Sequence, residues 1–119
     1  MNNSTSRKFK AANVIQVALV DILRNKAKTL DIRFAKLDIT LTQVEVTGDL
    51  RVAKCFFVPT YGLNEMSLEE ILKTLQDNTK TIRVLVTSKV QLKYSPEIQF
   101  IYDKSLEAMY NIDKILNNI

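Results

Sequence analysis

Residues 67–86 read Ser67-Leu68-Glu69-Glu70-Ile71-Leu72-Lys73-Thr74-Leu75-Gln76-Asp77-Asn78-Thr79-Lys80-Thr81-Ile82-Arg83-Val84-Leu85-Val86. Ser67 followed three residues later by Glu70 is a capping box, the hydroxyl taking one free amide of a helix start. Leu68, Ile71, Leu72 and Leu75 then recur at helical spacing and form one apolar stripe. From Asp77 to Thr81 four of five residues, Asp77, Asn78, Thr79 and Thr81, have low helix propensity, so the helix breaks there. Apolar spacing resumes at Ile82, Leu85 and Val86, which predicts a second, shorter helical piece. A helix broken once in its middle constrains the architecture more than any other segment does.

Working outward, Val90, Leu92 and Tyr94 alternate with Lys89, Gln91 and Lys93, and the phase continues through Ile98, Phe100 and Tyr102. This alternation predicts a strand, with Pro96 at an edge position or bulge because proline cannot donate to a ladder. Asp103 is placed to cap a final helix carrying Leu106, Met109, Tyr110, Ile112 and Leu116. Upstream, Leu37, Ile39 and Leu41 alternate with polar residues before the phase slips to Val44 and Val46, predicting a strand with a bulge near Gln43. Gly48-Asp49 turns the chain into a second strand within Leu50–Val58, and the two pair as a hairpin. Asp31–Lys36 is a polar connection and Pro59–Met66 a loop. A first helix runs from about Ser6 to Ala27, with Val14, Ala18 and Ile22 on its stripe, widened by Ile15, Leu19 and Leu23. The order helix, strand, strand, helix-break-helix, strand, helix gives an α+β domain, one sheet with helices on one face. Residues 1–6 are expected as a disordered arm and residues 7–119 as a single domain.

Composition limits the chemistry. The 119 residues contain no histidine and one cysteine, Cys55. Histidine bases, Ser/His/Asp triads and His-containing zinc sites are therefore excluded, as is an internal disulfide, and the expected compartment is reducing, the cytoplasm. Cys55 is expected as a small strand hydrophobe. The apolar run Val14–Leu23 contains Gln16 and Asp21 and is too short to span a bilayer, so no membrane association is expected. Carboxylates that a metal nuclease would need, Asp38, Asp49, Asp77 and Glu97, are scattered over unrelated elements, and no catalytic residue, metal or other cofactor is expected.

Seventeen Lys and Arg against thirteen Asp and Glu give a net charge of +4, and their placement matters more than their sum. Arg7, Lys8, Lys10, Arg24, Lys26 and Lys28 face only Asp21 in the first 28 residues. A second cluster, Lys80, Arg83, Lys89 and Lys93, follows the helix break with no acid before Glu97. Such asymmetry suits a face laid on a phosphate backbone, where each neutralised phosphate adds a salt-dependent increment of affinity; it equally suits a solvated face. Lys89 and Lys93 are expected on one face of the last strand, where they track a backbone or discourage edge pairing. Arg7, Lys8 and Lys10 grip RNA from the arm or merely solvate it.

Two stretches resemble a known family. Gly48-Asp49-Leu50-Arg51-Val52-Ala53-Lys54-Cys55 is similar to the turn and second strand of ribosome-binding factor A, where Asp-Leu is followed two residues later by Ala-Lys-Val. The run from Leu92 to Glu107, with Ser95-Pro96-Glu97-Ile98 leading to Tyr102-Asp103-Lys104-Ser105, resembles that family's closing Pro-Glu-Leu strand and Tyr-Asp-x-Ser. The resemblance covers residues from Arg7 to about Leu116. It implies a type II KH-like fold, α-β-β-α-kink-α-β with an additional C-terminal helix. It also implies a monomeric, non-enzymatic factor that binds the free small ribosomal subunit, contacting 16S rRNA near the decoding region and neighbouring ribosomal proteins. Such a factor assists late maturation, including processing at the 5′ end of 16S rRNA. Another function for the same fold is a general RNA-binding or protein-docking module. One departure stands out: the family's Ala-x-Gly at the break corresponds to Asn78-Thr79-Lys80, and a later glycine to Thr87. Asn78 tolerates a left-handed conformation better than most residues and is expected to carry the kink, with Lys80 supplying a side-chain contact beside Thr79 and Arg83.

Overall fold

Apolar residues at helical spacing in residues 3–25 and at period two in residues 39–59 each need a partner layer, and the fold supplies one for both. The computed structural model describes residues 3–92 and 95–106. Helix α1 spans Asn3–Asn25 and is followed by a one-turn helix α2, Ala27–Leu30, and a 3-10 turn, Ile32–Lys36. Strands β1 (Ile39–Val46) and β2 (Val52–Pro59) come next, then helices α3 (Leu68–Asp77) and α4 (Thr79–Lys89), and strand β3 (Glu97–Tyr102). A 3-10 turn, Lys104–Leu106, follows β3; the final helix expected beyond it lies outside the described residues.

The sheet order is β1-β2-β3, with β1 antiparallel and β3 parallel to β2. The hairpin register runs from Ile39 opposite Pro59 to Val46 opposite Ala53, and slips between Leu41 and Gln43. That slip is the expected bulge, with Thr42 as the extra residue. The turn departs from glycine logic: Leu50 holds the positive φ of 61°. Asp49 fixes it, its carboxylate accepting from Thr47 Oγ1 at 2.6 Å and from the Arg51 amide at 3.1 Å, an Asx-type turn.

One face of the sheet carries Val44, Val46, Ala53, Cys55, Phe57, Ile98 and Phe100, all buried. Against it lie Ile15, Leu19 and Ile22 of α1, Ile71 and Leu75 of α3, and Ile82 and Val86 of α4. The α1 stripe centres on Ile15, Leu19 and Ile22 rather than on Val14, which is 41% exposed. Cys55 is fully buried, and burial pushes its thiol up to about 12. Phe57 points into the core and meets the Tyr102 ring edge-on at 6.3 Å, while Phe56 lies on the other face, half-buried.

Four expectations change. Helix α1 begins at Asn3 rather than Ser6, and Asp31–Lys36 forms a 3-10 turn capped by Asp31 rather than an irregular connection. The break between α3 and α4 is one residue wide. The last strand starts at Glu97, not at Lys89: Val90 still donates its amide to Val86 O at 2.9 Å, closing α4. The register sets Glu97 opposite Val52, the first residue of β2 after the turn, so residues before Glu97 run past the start of β2 and have no strand to pair with.

Candidate nucleic-acid interface

Ser67 starts α3, its Oγ accepting from the Glu70 amide at 3.2 Å. The helix ends at Asp77, and Asn78 takes φ −110° and ψ 3°. This is the bridge region, negative in φ, so Asn78 carries the kink without the left-handed conformation expected of it, and neither Asn78 nor Lys80 needs a glycine's freedom. Helical bonding resumes at once, Ile82 donating to Asn78 O at 2.9 Å.

The Asn78 side chain is buried and turns inward. Nδ2 donates to Thr74 O at 2.8 Å and to Asp31 Oδ2 at 2.9 Å. Arg33 then bridges Asp31 at 2.6 Å and Asp77 at 3.1 Å. Hydrogen bonds from Arg33 and Asn78 hold the Asp31 carboxyl well below the usual carboxylate range, and those same carboxylates raise the Arg33 guanidinium. A four-residue lattice thus ties the kink to the connection after α2. Sequence reasoning missed Asp31 and Arg33; their i, i+2 spacing is visible in the chain, but their link to residues 77 and 78 is tertiary.

With Asn78 and Asp77 so engaged, the exposed start of α4 is left to Thr79, Lys80 and Arg83. Thr79 Oγ1 donates to Gln76 O at 2.9 Å. Lys80 is exposed and its ammonium forms no ion pair or hydrogen bond among the described residues. No acidic residue sits in the first turn of α4, so the positive end of the helix macrodipole and the Lys80 charge reinforce one another, an arrangement that favours an anion. Arg83, one turn on, is engaged: Nη2 donates to Ser95 O at 2.6 Å and Nε to Ser95 Oγ at 3.2 Å. It latches the chain entering β3 onto α4, with Thr87 Oγ1 bonded to Ser95 Oγ at 2.5 Å.

The remaining expected residues divide. Lys89 is on the last turn of α4, not on a strand, and forms an ion pair with Asp21 of α1, which lowers the Asp21 carboxyl. It is therefore partly neutralised. Lys93 lies outside the described residues. Arg7 and Lys10 are exposed and Lys8 half-buried on the first turns of α1; Asp21 of that helix meets Lys89 at the end of α4, while Asp31, beyond α1, meets Asn78 at the start of α4, so the structure does not bring these three cations to Lys80. Among the described residues no three Asp, Glu or Cys side chains gather as a metal site, and no helix is long and apolar enough to cross a membrane.

An antiparallel hairpin, a kinked helix pair crossing the sheet and a third strand parallel to the second define a type II KH-like domain. Comparison with known proteins narrows this. The family model for ribosome-binding factor A matches residues 7–116, and the chain belongs to that family. It is 35% identical over 116 residues to ribosome-binding factor A of Rickettsia felis, covering 98% of this chain and 94% of that protein. The crystal structure of ribosome-binding factor A from Thermus thermophilus superimposes with a TM-score of 0.64 at 16% identity, covering 80% of this chain and 94% of that one. The solution structure of a Thermotoga maritima protein gives 0.65 at 26% identity, over 90% and 95% of the two chains.

Proposed function

We propose that this chain binds the free small ribosomal subunit through 16S rRNA and assists its late maturation, including processing at the 5′ end of that RNA. It acts in the cytoplasm as a monomeric, non-enzymatic factor. The observation that carries the reading is membership of the ribosome-binding factor A family over residues 7–116. A Thermus thermophilus relative, similar in fold with a TM-score of 0.58, has been fitted into a cryo-EM map of a 30S complex. The proposed contacts are the start of α4, by the main chain at Asn78 and by Thr79, Lys80 and Arg83, and, as a second patch, Arg7, Lys8 and Lys10 on the first turns of α1. Lys80 is its principal phosphate ligand, since Arg83 and Lys89 already hold protein partners.

Co-sedimentation with free small subunits, mature small subunits and whole ribosomes at two salt concentrations tests this. Preference for the free subunit, weakening with salt, is expected. Lys80→Glu should weaken binding and flatten the salt slope by about one phosphate contact. Equal binding to all three particles would reduce the chain to a general RNA binder.

A further inference from the structure

The hairpin has an outer edge that the rest of the described fold leaves uncovered. Asp38 O accepts from the Thr60 amide at 2.9 Å, and the Asp38 amide donates to Asn64 Oδ1 at 2.6 Å, so Asp38 faces β2. Alternation then turns the N–H and C=O of Ile39 and Leu41 the other way. The register agrees: Ile39 stands opposite Pro59, which has no N–H to offer. Neither residue's main chain takes part in any of the loop and cap hydrogen bonds of the described chain.

That bare edge opens onto a cleft of about 760 Å³ between β1 and the C-terminal half of α1. Its walls include Val20, Leu23 and Leu63, the last 61% exposed. Arg24 and Lys28 also line it, and neither forms an ion pair among the described residues. Asp38 lies on the same rim and offsets one of the two charges. An unpaired strand edge beside an apolar trough is the setting for strand addition, in which main-chain bonds give affinity and alternate side chains enter the trough.

We propose that this cleft binds an extended acidic polypeptide segment of a partner protein as a fourth strand on Ile39–Leu41, alternate apolar side chains entering between Val20, Leu23 and Leu63. Its carboxylates lie against Arg24 and Lys28. The excess of one positive charge selects an acidic over a basic segment, and the directional N–H and C=O pair selects a polypeptide over RNA. This surface uses none of the residues assigned to RNA contact, so the two readings stand or fall separately.

The test is a titration of the full ¹⁵N-labelled chain, followed by amide chemical shifts, with the peptide acetyl-Thr-Val-Glu-Val-Glu-Val-Thr-amide up to about 1 mM, the weak end of specific affinity. Shifts confined to residues 20–28, 37–41 and 60–63 are expected. Methylating the peptide nitrogens that face Ile39 and Leu41 should weaken binding at least about tenfold, two hydrogen bonds' worth. Replacing both glutamates by lysine should weaken it as well, and the Arg24→Glu/Lys28→Glu double variant should reverse that preference. The proposal is overturned by no shift at 1 mM, by indifference to methylation, or by shifts elsewhere. It is also overturned if oligouridine moves the same amides at lower concentration, or if deleting residues 107–119 alone moves Ile39 and Leu41, since the cleft would then hold RNA or the chain's own end.

Discussion

Replacing Asn78 by alanine isolates what holds the kink. The side chain is 9% exposed and its amide nitrogen makes two bonds, 2.8 Å to the Thr74 carbonyl and 2.9 Å to the Asp31 carboxylate. A neutral hydrogen bond contributes about 1 kcal/mol net and one to a charged group about 1.5–3 kcal/mol. Against a loss of about 3 kcal/mol stands a gain of roughly 0.6 kcal/mol from alanine's helix propensity, realised only as the helix straightens. The net expectation is a loss of about 2 kcal/mol. With a urea m-value of about 1.5 kcal/mol per molar for a domain of this size, the midpoint should fall by about 1.3 M, read by circular dichroism. Asn78→Asp preserves the shape but sets a second carboxylate against Asp31, so it should cost more than alanine at neutral pH. Its deficit should narrow towards pH 4, as the new carboxyl gains a proton and becomes a donor. A midpoint for Asn78→Ala within about 0.3 M of the parent, or an Asn78→Asp variant no worse than alanine, would refute the reasoning.

Asp31, Cys55 and Ser67 each give a further outcome. Because Asp31 is held below the usual carboxylate range in the folded state, its contribution is present above about pH 4, the unfolded value, and fades as pH falls. Asp31→Asn should therefore reduce stability at neutral pH and flatten the decline below pH 4, measured by urea titrations at stepped pH. Cys55, fully buried with its thiol pushed up to about 12, should resist Ellman's reagent at pH 8 in the native protein and react stoichiometrically in 6 M guanidinium. Ser67→Ala removes the cap of α3 and should cost about 1 kcal/mol, while Ser67→Asp should not.

Elements whose signals are local were legible in the chain. The bulge at Thr42 showed as a slip in alternation, and the Ser67 cap and the break before Ile82 were visible as residue types in order. The final strand was misplaced because alternation in Lys89–Tyr94 mimics a strand; what ends α4 and delays β3 is the lack of a partner before Val52, a property of the sheet. The kink was located, but its width and sign of φ were not, because Asn78 is shaped by Asp31, 47 residues away. For the same reason Arg83 and Lys89 stood as free cations in the sequence and hold Ser95 and Asp21 in the fold.

The lattice of Asp31, Arg33, Asp77 and Asn78 has a consequence for how such a chain can vary. A glycine at a helix break is self-sufficient, since it asks nothing of its neighbours. Here the same bend is distributed over two distant segments, so each of the four positions sets the fitness of changes at the other three. Among the described residues, loss of Asn78 leaves Asp31 bonded only within its own segment, to Arg33, and loss of Asp31 leaves the buried Asn78 amide with one of its two acceptors. Single substitutions at these positions should be deleterious where pairs are tolerated, so drift at the kink is confined to coordinated steps or to a route that first restores glycine.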